Sequence, residues 1–355
     1  MLLDGKPNLG ADEVVSIART YFDLKVVPKQ LPSYQDQNFL LETEQGKKYV
    51  LKIANADESC ELLEAQCLAL QHLNNHGLPV PQLIASVSGE MITKFRSQDG
   101  EEYLIRLVSY LPGNPLAEQR RHSTSLLNEI GQQAGKVSAA LAEFDHPALH
   151  RYSQWDLQIA AAVIEDYLKY VEDQEISAII LEMLDGYLEC SVGLLPGLRF
   201  SVVHNDLNDY NILVGCEDDL YSRNQQVVGI LDFGDMLYSL TIAELAITVA
   251  YGILDKNDPL ATAMEIVRGF NQVYPLNGNE LAVLFDLVCM RLCVSLCLAA
   301  YKAEQLPGDD YIKISQEPIR HILPQLIKIP RRLAEAAFRK ACEMDPVKDT
   351  SSNEQ

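Results

Sequence analysis

The sequence predicts an α+β protein of two lobes, the first rich in strands and the second mainly helical. Three observations predict it. At 355 residues the chain exceeds one ordinary core and suits two. Short apolar runs separated by turn residues dominate up to about residue 110, and longer stretches of helical period dominate after it. Leu111-Pro112-Gly113 stands at the change of pattern and reads as a hinge.

The elements follow in order. Val14, Val15, Ile17, Ala18 and Tyr21 recur on a helical period near the start. Strands over Asn38–Glu42 and Lys48–Ile53 flank Thr43-Glu44-Gln45-Gly46, a hairpin turn with glycine. A helix is expected from Glu58 to His76, ended by Gly77 and Pro79. Further strands are expected near Gln82–Ser86, Glu90–Phe95 and Tyr103–Tyr110. Beyond the hinge, helices are expected over Leu126–Phe144, Leu157–Val171, Ala178–Leu194, Ile242–Ile253, Ala261–Gln272, Glu280–Tyr301 and Leu323–Ala341. One β-like island, His204 to Asp235, interrupts them. The lobes divide as 1–110 and 111–344, and the polar tail 345–355 reads as loose.

Composition narrows the function. Charged residues make up 22% and hydrophobic residues 48%, which argues against disorder and for a soluble globular enzyme. The 29 basic against 50 acidic residues leave a formal charge of −21. That field repels nucleic acid and anionic membrane, tolerates a cationic metabolite, and also serves solubility. The start of the chain carries charge within its first few residues and does not read as a signal peptide. The apolar stretch Leu281 to Tyr301 contains Asp286 and Arg291, so it reads as a buried helix rather than a membrane span. Eight cysteines form no CxxC pair, and Cys289, Cys293 and Cys297 share one helical face as core residues. Reduced thiols and no export signal point to the cytoplasm.

The chemistry concentrates in two segments. In His204-Asn-Asp206-Leu-Asn-Asp-Tyr-Asn211, a carboxylate and an amide lie five positions apart on a loop between apolar runs. In Gly229-Ile-Leu-Asp232-Phe-Gly234-Asp235, an apolar strand runs into a carboxylate at a glycine turn. Phosphoryl transfer needs one carboxylate to orient the attacking hydroxyl and take its proton. It also needs hard oxygen ligands to hold a divalent cation against phosphate. A lone Asp-Phe-Gly is a common turn; the two segments in this order and spacing carry the kinase reading.

The first segment resembles the H-G-D-x-x-x-x-N loop of aminoglycoside phosphotransferases and choline kinases, and the second resembles their I-D-F-G-D. Asn205 stands where many members carry Gly, at a position that contributes backbone. The resemblance runs from about residue 11 to 340. It implies a bilobal protein-kinase-like fold, Asp206 as catalytic base, Asn211 and Asp232 as ligands of Mg2+, and His204 as a brace of the loop. Lys52, in Lys48-Tyr-Val-Leu-Lys52-Ile, resembles the strand lysine that contacts the phosphates of ATP or GTP. Its partner should be a glutamate on the next helix. Glu61 and Glu64 are both eligible, and Leu62-Leu63-Glu64-Ala65 favours Glu64. The glycine-rich loop of protein kinases is replaced by Leu31 to Phe39, where Ser33, Gln37 and Asn38 offer donors to phosphate. The purine should meet backbone along Leu107, Val108 and Tyr110 to Leu111.

A narrower likeness rests on four segments: Leu31-Pro-Ser-Tyr34 to Phe39, Ile105-Arg106-Leu107 to Gly113, Asn208 to Leu213, and Gly229 to Met236. Arg291-x-Cys-x-Ser-Leu296 also fits. Together they resemble the hydroxylysine kinase family, which implies transfer from GTP to the side-chain hydroxyl of 5-hydroxy-L-lysine. Such an acceptor carries two ammonium groups and a carboxylate. Asp209, Asp235 and Glu244 are candidates for the ammonium groups, with Asp235 alternatively serving metal or loop geometry and Glu244 alternatively structural. Arg291 is the candidate for the carboxylate, or else pairs with an internal carboxylate, and Trp155 lines the pocket or packs in the core. The alternatives are the same transfer to another amino alcohol or aminoglycoside, and a binding protein of this fold without turnover.

Overall fold

The computed structural model describes residues 5–33, 35–98, 100–119, 121–215, 226–305 and 316–345. Tyr34 and the tail beyond residue 345 lie outside the described residues. The N-terminal lobe opens with α1 (Ala11–Phe22), which turns Val14, Ile17, Ala18 and Phe22 inward. Its sheet comprises β1 (Val26–Leu31), β2 (Gln37–Thr43), β3 (Lys48–Ile53), β4 (Leu83–Ile84), β5 (Thr93–Arg96) and β6 (Glu102–Ser109). The order is β1-β2-β3-β6-β4, with β5 also on β6, and every pairing is antiparallel. Sequence patterning did not mark β1. Its Pro28 cannot donate to a ladder, which suits this edge strand, paired on one side only. Alternation on β2 and β3 sends Phe39, Leu41, Leu51 and Ile53 to one face, where they meet α1, Ile105 and Leu107.

The boundary at residue 110 divides the chain but not the cores. Ser59 caps α2 (Cys60–Asn75) by accepting from the Leu62 N–H at 3.1 Å. The apolar face of α2, through Leu62, Ala65, Ala69, Leu70 and Leu73, belongs to the large core of the second lobe. After β6 the chain crosses between lobes at Gly113, whose φ is +152°. A Cβ there would lie 2.8 Å from Val228 and 3.0 Å from Leu213, so only glycine lets the crossing lie this close.

The second lobe holds α3 (Thr124–Leu141), α4 (Ala160–Tyr167), α5 (Gln174–Cys190), α6 (Ile242–Gly252), α7 (Pro259–Val273), α8 (Gly278–Gln305), α9 (Gln316–Leu326) and α10 (Arg331–Ala341). Around them lie β7 (Asn114–Pro115), β8 (Phe200–Val203), β9 (Ile212–Val214), β10 (Val227–Ile230) and β11 (Leu237–Leu240). The helix expected over Leu323–Ala341 is two helices, because Pro330 pulls the chain out of the helix and caps α10. Helix α8 runs through the core and is buried from Glu280 to Ala299. Its charges are paired. Arg199 forks onto Glu280 at 2.7 and 2.6 Å, and Asp286 takes Arg331 at 2.7 Å and Ser191 at 2.6 Å. Cys289, Cys293 and Cys297 are buried thiols in the core, as their spacing predicts.

Candidate active site

Two short ladders frame the two chemical segments. Strand β8 pairs with β11 and β9 with β10, both antiparallel. The first segment is the loop from β8 to β9, and the second is the loop from β10 to β11. The Leu231 N–H donates to the Asn211 carbonyl at 2.8 Å and stitches one loop to the other. Two residues here hold left-handed backbone: Asn205 at φ +66° and Asp232 at φ +57°. Asn and Asp tolerate that region better than other side chains, which explains why Asn can stand at a position that favours glycine.

His204 ties the two loops together. Its Nε2 lies 2.8 Å from the Leu231 carbonyl, and its Nδ1 lies 3.2 Å from the Asp206 N–H. The pattern assigns the proton to Nε2. Burial pushes this imidazole down to about 4, so it is a neutral brace. Glu244 supports the same turn. It is fully buried and accepts from the His204 N–H at 2.6 Å. Burial pushes its carboxyl up to about 7. The expectation that Glu244 meets a ligand ammonium is therefore corrected. Its position in the first turn of α6, beneath the loop, directs it to backbone N–H groups.

Both carboxylate oxygens of Asp206 receive hydrogen bonds. Asn208 Nδ2 lies 3.1 Å from both carboxylate oxygens, Asn211 Nδ2 lies 2.9 Å from Oδ2, and Arg291 Nη2 lies 2.8 Å from Oδ1. Burial, reinforced by Asp235 and Asp232 and opposed by Arg291, pushes the Asp206 carboxyl up to about 7. Asp232 behaves oppositely, because Lys52 Nζ at 3.1 Å holds its carboxyl below the ordinary value. Lys52 reaches it from the facing lobe. On the N-terminal sheet Lys52 stands opposite Asn38 on β2 and Arg106 on β6, so this row shares one face.

Glu64 is not the partner of Lys52. Glu61, Glu64 and Leu68 form an exposed stripe of α2, and among the described residues Glu64 accepts from the Cys60 thiol at 3.7 Å. The face toward the second loop carries Gln66, whose Nε2 lies 3.4 Å from the Gly234 carbonyl. Periodicity could not choose between two turns of the same helix; the packing of α2 onto the second lobe did.

A cavity of about 290 Å³ opens over these groups. Ser33, Asn38, Asp206, Asn211, Asp232 and Asp235 line it, so the phosphate-loop and metal candidates share one space. Trp155 lines it too, and α8 forms one wall through Arg291, Ser295, Ala299 and Lys302. Those four positions follow one helical face. Arg291 is 2% exposed and sits 4.6 Å from the Trp155 ring centre and 5.5 Å from that of Tyr251. Lys302 sits 5.4 Å from the same Trp155 ring. Burial depresses the Lys302 ammonium, opposed by Asp235 and Asp206. Sequence reasoning missed Lys302 and Asn208. Helical spacing from Arg291 points to the first, and the second opens the family-like segment Asn208 to Leu213 without its side chain having been assigned a role.

Two further placements differ from expectation. Asp209 faces a separate cavity of about 350 Å³ with His122, Asp255 and Lys256, because its neighbour Tyr210 forms the rim between the two spaces. Leu107 and Val108 lie inside the sheet, flanked by β3 and β4, and do not line the cavity; Tyr110, beyond β6, is partly exposed, and its N–H donates to the Lys48 carbonyl at 3.4 Å. A larger groove, about 670 Å³, lies on the N-terminal lobe between Val15, Arg19 and Glu42 and contains none of these groups.

The oxygen donors fit a divalent cation of the magnesium type. Asn211 spends its Nδ2 on Asp206 and keeps its amide oxygen, and the Asp232 side chain is 54% exposed to the cavity. One carboxylate and one amide cannot make a complete cage. They suit a cation that keeps water and phosphate oxygens in its shell. No group of three or more His, Cys, Asp or Glu able to hold a metal occurs among the described residues.

Comparison with known proteins agrees with this geometry. The sequence profile of the phosphotransferase enzyme family (APH) matches residues 28–275. The chain is 33% identical to hydroxylysine kinase of Bos taurus, over 93% of this chain and 92% of that protein. It is 34% identical to hydroxylysine kinase of Xenopus laevis over 88% of each. Among solved structures, amicoumacin kinase in complex with AMP-PNP and Ca2+ superposes with a TM-score of 0.66 at 17% identity, over 91% of this chain and 96% of that one. At that identity the likeness concerns the fold, with its sheet-rich first lobe and helical second lobe. The chain belongs to the phosphotransferase enzyme family, and it is a small-molecule kinase that transfers phosphate from a nucleotide to a hydroxyl group.

Proposed function

We propose that the acceptor is 5-hydroxy-L-lysine, phosphorylated on its side-chain oxygen with GTP as donor and Mg2+ as the cation. The observation that carries the acceptor is the mixed charge of the cavity wall: Arg291 and Lys302 flank Trp155 on one side, and Asp206 and Asp235 face them. A zwitterionic amino acid with a hydroxyl fits such a wall. Choline has no carboxylate to offer these two cations. The likeness to hydroxylysine kinases along most of the chain supports the same acceptor, and the choice of GTP follows from the family resemblance of the sequence.

In this reading the acceptor oxygen bonds to the γ-phosphorus, its proton passes to Asp206, and the bond to the β–γ bridging oxygen breaks as GDP leaves. Asn208 and Asn211 aim the Asp206 carboxylate. Lys52 turns from Asp232 to the phosphates, helped by Ser33 and Asn38. Asn211 and Asp232 would hold the cation, which supplies charge neutralisation at the phosphate oxygens. Asp235 meets the side-chain ammonium, and Arg291 and Lys302 take the α-carboxylate.

The test is a transfer assay crossing GTP and ATP with hydroxylysine, choline, ethanolamine and an aminoglycoside. Hydroxylysine with GTP should give the highest kcat/KM. Robust transfer to choline or an aminoglycoside, with none to hydroxylysine, would refute the acceptor. A clear preference for ATP would refute the donor.

A further inference from the structure

We propose that Arg291 clamps Asp206 while no acceptor is bound, and that a carboxylate on the acceptor draws the guanidinium away and frees the base. The inference rests on the carboxylate-bearing acceptor proposed above and adds a coupling between recognising that acceptor and starting the chemistry.

The geometry leaves little alternative at Asp206. An ionised carboxylate offers about four acceptor positions. Here a single Asn208 N–H is shared between the two oxygens, Asn211 takes a position on Oδ2 and Arg291 takes one on Oδ1. An attacking hydroxyl must hand its proton to this carboxylate, which is 22% exposed toward the cavity, and competes there with these donors. Asn211 is also held by the Asp206 carbonyl at 2.8 Å, and Asn208 anchors the turn by accepting from the Tyr210 and Asn211 N–H groups at 2.8 and 3.1 Å. Arg291 is the partner with somewhere else to go. Its Nε and Nη1 are buried and make no hydrogen bond among the described residues. Its guanidinium carbon lies 4.6 Å from the Trp155 ring centre and 5.5 Å from that of Tyr251, whose side chain is also a polar partner of the group.

A carboxylate reaching the guanidinium through either fork offers two parallel charge-assisted bonds against the single bond to Asp206. Arg291 turns toward it and Oδ1 opens beside the acceptor hydroxyl. Water brings no such anion. With water alone the buried guanidinium stays on Asp206, and the competing reaction is suppressed. In that reaction a water oxygen would bond to the γ-phosphorus, the water proton would go to Asp206, and GDP would leave with the bridging electron pair. Arg291 is thus a positioning residue for the base as well as a ligand of the acceptor.

Two measurements test the clamp. The first is phosphate release from GTP and Mg2+ with no acceptor, in the parent and in Arg291→Met, each checked for fold by circular dichroism. Release should rise roughly tenfold or more in the variant, the factor expected when one hydrogen bond to a charged group need no longer be broken. A merely structural arginine would give unchanged or lower release, and that result would overturn the clamp. The second uses only the parent protein. Its acceptor is 1,5-diaminopentan-2-ol, which keeps the hydroxyl and both amines of hydroxylysine but lacks the carboxylate. Added formate should raise kcat for this acceptor several-fold, with chloride at equal ionic strength as control. No response to formate overturns the clamp even if the variant fails to fold. The two proposals fail separately. Raised release in Arg291→Met without transfer to hydroxylysine keeps the clamp and refutes the acceptor. Efficient transfer to hydroxylysine with unchanged release keeps the acceptor and refutes the clamp.

Discussion

Replacing Asp206 by asparagine should abolish most turnover while leaving the fold at least as stable at pH 8. The catalytic part follows from losing a positioned base, typically roughly 10²–10⁴-fold, or about 3–5 kcal/mol of barrier. The stability part comes from two opposing quantities. Burial raises the Asp206 carboxyl from 3.8 to about 7 in the fold. A folded value above the unfolded one means that the proton favours the folded state. This contribution is fully present below pH 3.8 and is lost as pH rises through about 7. At pH 8 the ionised, buried carboxylate then costs on the order of 4 kcal/mol, and a neutral amide removes that cost. The attraction of Arg291 is already contained in that shift, and the amide opposes the gain by leaving a donor unmatched, at about 1–3 kcal/mol. Its NH2 faces one of the donors that Asp206 had satisfied. The balance lies near zero or slightly in favour of the variant at pH 8, and moves against the variant toward pH 4. Denaturant melts of the metal-free proteins at pH 4, 6 and 8, beside single-turnover transfer, check both halves. A loss of more than about 2 kcal/mol at pH 8, or turnover like the parent's, would refute the reasoning.

Asp232→Ala should abolish magnesium-dependent nucleotide binding, with Asn211→Ala milder because it removes a neutral ligand; unchanged magnesium dependence by calorimetry in Asp232→Ala would remove that residue from the site. The same variant frees Lys52 from its 3.1 Å ion pair, so metal-free nucleotide should bind no more weakly than to the parent. Glu244→Ala should cost roughly 1–3 kcal/mol and lower kcat, because the buried His204 N–H loses its acceptor, while KM for the acceptor changes little. Glu244→Gln keeps an acceptor oxygen and should recover most of both; a selective rise in KM with normal stability would instead return Glu244 to the substrate pocket.

Much of this protein is legible in its sequence because the signals are local. Helical period and capping mark α1, α2 and most later helices, and the turn Thr43 to Gly46 marks the hairpin of β2 and β3. Asp206, Asn211 and Asp232 are legible because their spacing belongs to short loops between strands that pair directly. The positive φ of Asn205 explains in backbone terms why Asn can stand at a position that suits glycine. Where sequence reading stopped, the deciding contacts were between residues far apart in the chain. Edge strand β1 carries a proline and is held by β2 rather than by its own pattern. Glu61 and Glu64 sit on one helix with similar local claims, and only the docking of α2 on the second lobe turned both outward and brought Gln66 to Gly234. Glu244 and Asp209 are acidic residues near the right motifs, yet one is spent on the backbone of the loop and the other faces the next cavity. A buried arginine in α8 was visible as a charge needing a partner. That its partner is Asp206, 85 positions away in the chain, and that Lys302 joins it around Trp155, was decided by the packing of α8 beneath the loop.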